Sequence, residues 1–113
     1  MLEAVRVYVD TSVFGGVFDR EFRKATLAFF SRVSSGYFEL AVSRLVITEL
    51  ESAPHEVQSF FLKWAPSLTR LEIDVKAYNL QQAYLQANVV SPRSETDALH
   101  VAVASVNKCQ IIV

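Results

Sequence analysis

Four short runs rich in β-branched and other apolar residues punctuate this chain, and each is separated from the next by sequence with helical character. The first, Val5 to Val9 (Val-Arg-Val-Tyr-Val), stops abruptly at Asp10-Thr11-Ser12, as a strand does when it runs into a turn. Tyr37 to Val42, Leu68 to Ile73 and Gln110 to Val113 read as three further strands. Strands that alternate with helices belong to a mostly parallel sheet covered on both faces.

The intervening segments carry ordinary helix signals. Arg20 to Ser35 places Phe22, Leu27, Phe29, Phe30 and Val33 on roughly one face, and Gly36 closes it. Ser43 suits the N-cap of a helix through Leu45, Val46, Glu49 and Leu50. Pro54 suits the first turn of a helix reaching about Trp64, and Asp74 would cap one reaching Ala87. Ser94 begins a last helix with a broad apolar face of Ala98, Leu99, Val101, Ala102 and Ala104.

With 113 residues the chain makes one domain, residues 1–113. Half of it is hydrophobic, which supplies a core and argues against disorder. A net charge of -1 gives no global attraction to nucleic acid, so RNA or DNA binding would need a local basic cluster. Cys109 stands alone and cannot form an intrachain disulfide. No signal peptide is recognisable, and the apolar stretch from Ala98 to Val106 is far short of the roughly 20 residues of a spanning helix. A soluble, cytoplasmic protein without a membrane segment is the expectation.

In a parallel sheet, functional groups collect at the carboxyl ends of the strands. Asp10 ends the first strand there. Glu49 lies six residues past Ser43, about 9 Å along a helix leaving the same edge. Asp97 falls in the first turn of a helix that precedes a strand, so its helix begins at that edge if it packs antiparallel to the strand. Each acid has a plainer reading: Asp10 as a turn or N-cap residue, Glu49 as a solvated helix residue, Asp97 as part of a capping box after Ser94. Their shared edge favours function. Three carboxylates in one cleft repel each other unless a cation or a shared proton intervenes. Oxygen-only ligands suit Mg²⁺ or Mn²⁺, which can activate water for phosphodiester hydrolysis. The lone cysteine and two histidines show no zinc-ligand spacing.

Other residues near the acids are less decided. Ser12 and Thr11 offer hydroxyls that could orient Asp10 or cap the next turn. His100, three residues after Asp97, reads as a packed histidine or one supporting the acids rather than as a catalytic group. Arg44 and Arg93 are candidates for gripping phosphates, or solvated charges. Gly15-Gly16 would permit an unusual backbone path.

Three segments occur in order: Tyr8-Val9-Asp10-Thr11-Ser12-Val13-Phe14, Thr48-Glu49-Leu50-Glu51-Ser52-Ala53-Pro54, and Asp97-Ala98-Leu99-His100-Val101-Ala102-Val103-Ala104. Together they resemble the PIN-domain family, and within it the VapC-like toxins of toxin–antitoxin pairs. The resemblance implies a three-layer α/β/α domain with a parallel sheet and a Mg²⁺- or Mn²⁺-dependent endoribonuclease. It also implies a homodimer and an antitoxin that blocks the site. Asp10, Glu49 and Asp97 correspond to the metal-binding acids and Ser12 to a supporting hydroxyl. Compared with the family, the chain stops before a last helix and strand and a further polar or acidic site residue. A non-catalytic PIN-like module that binds an antitoxin or itself is therefore the competing expectation. A phospho-receiver would want paired acids after the first strand, and a haloacid-dehalogenase-type phosphatase an acid where Ser12 stands. The sequence fits neither.

Overall fold

The computed structural model describes residues 4–87, 95–109 and 111–112. Strand β1, Val5–Tyr8, leads through helix α1, Thr11–Gly15, and a 3-10 turn at Gly16–Phe18 into α2, Arg23–Ser34. Strand β2, Phe38–Ser43, is followed by α3, Arg44–Leu50, and α4, His55–Trp64; β3 is Thr69–Leu71. Helices α5, Val75–Gln86, and α6, Glu95–Val106, then precede β4, Ile111–Ile112.

All pairings are parallel, in the order β3-β2-β1-β4. The chain moves from β1 outward to β2 and β3, then crosses back over the sheet to place β4 on the far side of β1. With right-handed crossovers, the first two connections put α1 to α4 on one face and the return puts α5 and α6 on the other. The result is the three-layer α/β/α arrangement expected from the sequence.

The core follows from these layers. Val7, Tyr8, Leu40, Ala41 and Val42 of the two central strands are fully buried or nearly so. On the α1–α4 face, Phe30 packs with Phe14, Phe29, Phe60 and Trp64, and Phe14 meets Phe61 edge-on at 5.1 Å between ring centres. Across the sheet, Ala77 of α5 and Leu99, Ala102 and Val103 of α6 complete the cluster. At the sheet's interior, Arg6 and Glu39 occupy paired positions of β1 and β2 and form an ion pair at 3.2 Å. Thr69 of β3 donates to the same carboxylate at 2.7 Å.

Several boundaries differ from the sequence reading. Asp10-Thr11-Ser12, read as a turn, instead opens α1, because Asp10 caps a helix immediately after the strand, and the 3-10 turn follows. Helix α2 starts at Arg23 and buries Phe30, while Phe22 and Leu27 stay exposed. Pro54 is the N-cap of α4 rather than a residue of its first turn. Ser43 and Asp74 cap α3 and α5 as expected, through bonds from the Leu45 and Ala77 N–H groups. Gly36 takes φ +84, the left-handed conformation that ends a helix without strain. Ser94 lies outside the described residues.

Candidate functional site

The carboxyl ends of β1 and β2 define the site. Beyond Tyr8 the chain turns directly into α1, and Asp10 caps it: the Ser12 N–H and hydroxyl both donate to its Oδ1, at 2.9 and 2.5 Å. The N-cap reading of Asp10 holds, and the cap fixes its carboxylate at the strand edge. The Ser12 hydroxyl thus bonds Asp10. Thr11 does not: its hydroxyl donates to Glu49 Oε2 at 2.9 Å, tying α1 to α3.

Glu49 is held from its other side by His100, whose Nε2 lies 2.8 Å from Oε1. The histidine is buried, with 10% of its side chain exposed against 41% for Glu49. Its Nδ1 lies 2.5 Å from the Tyr8 hydroxyl, which is 2.8 Å from Ser43 Oγ. Tyr8 and Ser43 are wholly buried. A line of hydrogen bonds thus runs from the core, through Ser43, Tyr8 and His100, to a half-exposed carboxylate. Burial pushes the Tyr8 phenol up to about 12; the Ser43 bond opposes this, and the charges of Glu49 and Asp10 add to it. The phenol therefore stays protonated at neutral pH.

Asp97 is exposed in the first turn of α6. It precedes the buried His100 by three residues, so it sits about 4.5 Å further along the helix on a neighbouring face. Because His100 reaches Tyr8 at the end of β1, the start of α6 lies at the carboxyl edge. The structure thus brings Asp10 and Glu49 to one end of β1 and sets Asp97 on the helix that opens there. It does not close the three acids into a cluster: among the described residues, no three His, Cys, Asp or Glu side chains form a group that could hold an ion. Ser12 engages Asp10, Thr11 and His100 engage Glu49, and Asp97 is exposed.

The donor chemistry still suits a hard cation. A carboxylate has about four lone-pair positions, so the two hydrogen bonds on Asp10 and the two on Glu49 leave capacity on each. Mg²⁺ needs only one or two carboxylates, because it keeps several waters.

Arg44 is exposed at the start of α3 and lines a cleft of about 450 Å³ with Thr48, Glu51, Arg70 and Glu72. Arg70, which the sequence reading passed over, joins it because β3 lies parallel to β2, with Val42 and Arg70 as partners. Arg93 lies outside the described residues. Gly15 and Gly16 have ordinary helical backbone (φ -73 and -60), so they do not permit an unusual path. Gly16 is needed for proximity instead: a Cβ there would stand 2.5 Å from Thr26 Oγ1.

The PIN domain family matches residues 7–113, nearly the whole chain. The chain belongs to the PIN-domain family. This PIN domain shares its fold with VapBC2 from Rickettsia felis, seen in a crystal structure bound to a DNA fragment from its promoter. The TM-score is 0.69 at 13% identity, covering 96% of this chain and 87% of that one. Among curated proteins none matches this PIN domain. No helix among its described residues is long and apolar enough to cross a membrane.

Proposed function

We propose that this PIN domain is a metal-dependent endoribonuclease of the VapC toxin type, acting on RNA phosphodiesters. One observation carries the reading: Asp10 and Glu49, from distant parts of the chain, stand at the carboxyl end of β1, each held by hydrogen bonds. Asp10, Glu49 and Asp97 are the acids that would hold a Mg²⁺ or Mn²⁺ ion. When bound, such an ion activates water and neutralises phosphate charge. Ser12 keeps Asp10 in place, Thr11 and His100 keep Glu49 in place, and Arg44, with Arg93, would attract the RNA backbone. An antitoxin that covers the acidic edge and a homodimer are the partners this reading implies. The VapBC2 structure, of the same fold, was captured bound to a DNA fragment from its promoter.

The test is cleavage of a mixed RNA substrate with Mn²⁺ or Mg²⁺ by the intact chain, Asp10→Asn and Asp97→Asn. Cleavage that needs the ion and drops at least 100-fold in both variants supports the reading. Cleavage that survives both substitutions sinks it.

A second reading has its own support, because the described acids do not close into a group of three. In that reading the domain binds an antitoxin or a second copy of itself without cleaving. Absence of cleavage with either ion, together with retained antitoxin binding, would favour it.

A further inference from the structure

The buried line of polar groups behind Glu49 is more than core packing requires. Two hydroxyls at the centre of a sheet could satisfy each other, yet here they reach through a histidine to a carboxylate at the surface. The proton count fixes the direction. An ionised carboxylate can only accept, so His100 Nε2 carries the hydrogen directed at Glu49 Oε1, 2.8 Å away. In the neutral ring Nδ1 is then an acceptor, and the Tyr8 hydroxyl at 2.5 Å supplies its proton. The Tyr8 oxygen in turn accepts from Ser43 at 2.8 Å, and Ser43 Oγ accepts the Leu45 N–H at 3.2 Å. Each hydroxyl spends its single proton once, and no buried side-chain polar atom among the described residues lacks a partner.

We propose that Tyr8 and His100 are positioning residues: the buried Ser43 and Tyr8 hydroxyls hold His100 as its Nε2–H tautomer, and that N–H fixes the Glu49 carboxylate at the acidic edge. Turning the imidazole over would put carbon atoms against both Tyr8 and Glu49 and forfeit both bonds. The ring is also confined by its edge-on contact with Tyr8, 5.6 Å between centres. A half-exposed glutamate left to itself samples several rotamers; gripped by His100 and Thr11, it is set before any ligand arrives. The consequence for catalysis rests on the nuclease reading above, whereas the tautomer and the grip do not.

Long-range ¹H–¹⁵N NMR of the intact chain reads the tautomer directly. The expected spectrum shows His100 protonated on Nε2, with the Nε2 resonance moved by Glu49→Ala and the Nδ1 resonance moved by Tyr8→Phe. An Nδ1–H tautomer, or an Nε2 resonance indifferent to Glu49→Ala, overturns the proposal whatever the chain does to RNA. In an RNA cleavage assay with Mn²⁺, Tyr8→Phe and His100→Ala should lower kcat about 10- to 100-fold. KM should stay within about twofold, as expected when binding is untouched. His100→Gln keeps a donor near the position of Nε2 and should recover most of the loss; His100→Asn, whose amide ends near Nδ1, should not. Equal recovery by both amides, or a wild-type kcat in Tyr8→Phe, would also overturn it. If the wild-type chain cleaves no RNA with either ion, the nuclease reading fails and the NMR arm alone decides the positioning.

Discussion

Thr11 follows Asp10 in the chain, yet its hydroxyl serves Glu49, reaching Oε2 at 2.9 Å. One residue of α1 thereby holds an acid of α3 in place, while its neighbour Ser12 holds Asp10. Adjacent hydroxyls divide their work between two carboxylates because successive side chains on a helix diverge by about 100°. Thr11→Val, which keeps the shape and removes the hydroxyl, should lower RNA cleavage about 10-fold with little change in Tm. Thr11→Ser should retain most of the rate. Equal rates for Val and Ser at position 11 would show that the bond has no functional weight.

A pH dependence follows from the half-exposed ion pair across β1 and β2. The Thr69 hydroxyl, then the Arg6 guanidinium, hold the Glu39 carboxyl below the ordinary value of 4.5. A carboxylate whose folded pKa is depressed adds stability above its unfolded pKa and loses it as pH falls through the folded one. Stability should therefore decline as pH drops below about 4.5, by less than about 1 kcal/mol for so exposed a pair. Denaturant melts at pH 7 and pH 3.5 should show a smaller decline for Glu39→Gln than for the wild type. An identical decline in both would remove Glu39 as a source.

The layers and the order of the elements were legible in the sequence, because strand runs, caps and Gly36 each have a local cause. Ser43 and Asp74 cap their helices, and β-branched runs make the strands. What was not legible depends on register between distant segments. Nothing near Arg70 in the chain announces that parallel pairing with β2 sets it beside Arg44. The tie between Tyr8 and His100 spans 92 positions, so only the folded chain reveals it, although the burial of that histidine followed from the apolar face around it. Thr11 and Ser12 offered identical chemistry, and only the pitch of an unforeseen short helix assigns them to different acids.

The aromatic cluster beneath α2 concentrates stability on one residue. Phe30 is 3% exposed and packs against Phe14, Phe29, Phe60 and Trp64, drawn from α1, α2 and α4. Phe30→Ala removes a ring at the meeting point of these helices and should cost about 3–5 kcal/mol. Leu27→Ala, exposed on the same helix, should cost less than about 1 kcal/mol. Urea melts of the two variants decide it, and similar losses would mean that α2 is anchored elsewhere.

Gly16 offers the sharpest test of close packing near the site. Its backbone is helical, so a side chain there meets no conformational penalty. The obstacle is space: a Cβ would stand 2.5 Å from Thr26 Oγ1 and 3.4 Å from its Cβ and Cγ2. That hydroxyl cannot swing away freely, because it donates to the Phe22 carbonyl at 2.8 Å within α2. Gly16→Ala should therefore destabilise the domain by about 1–3 kcal/mol, the usual cost of overfilling a packed contact. Gly15→Ala, where the nearest atom would be Val57 Cγ2 at 4.0 Å, should be close to neutral. Thr26→Ala removes the offending oxygen and Cγ2, leaving only the residue's own Cβ at 3.4 Å. Paired with Gly16→Ala it should restore most of the lost stability, a coupling that a double-mutant cycle measures directly. Strictly additive losses at positions 16 and 26 would mean that the glycine is required for something other than this contact.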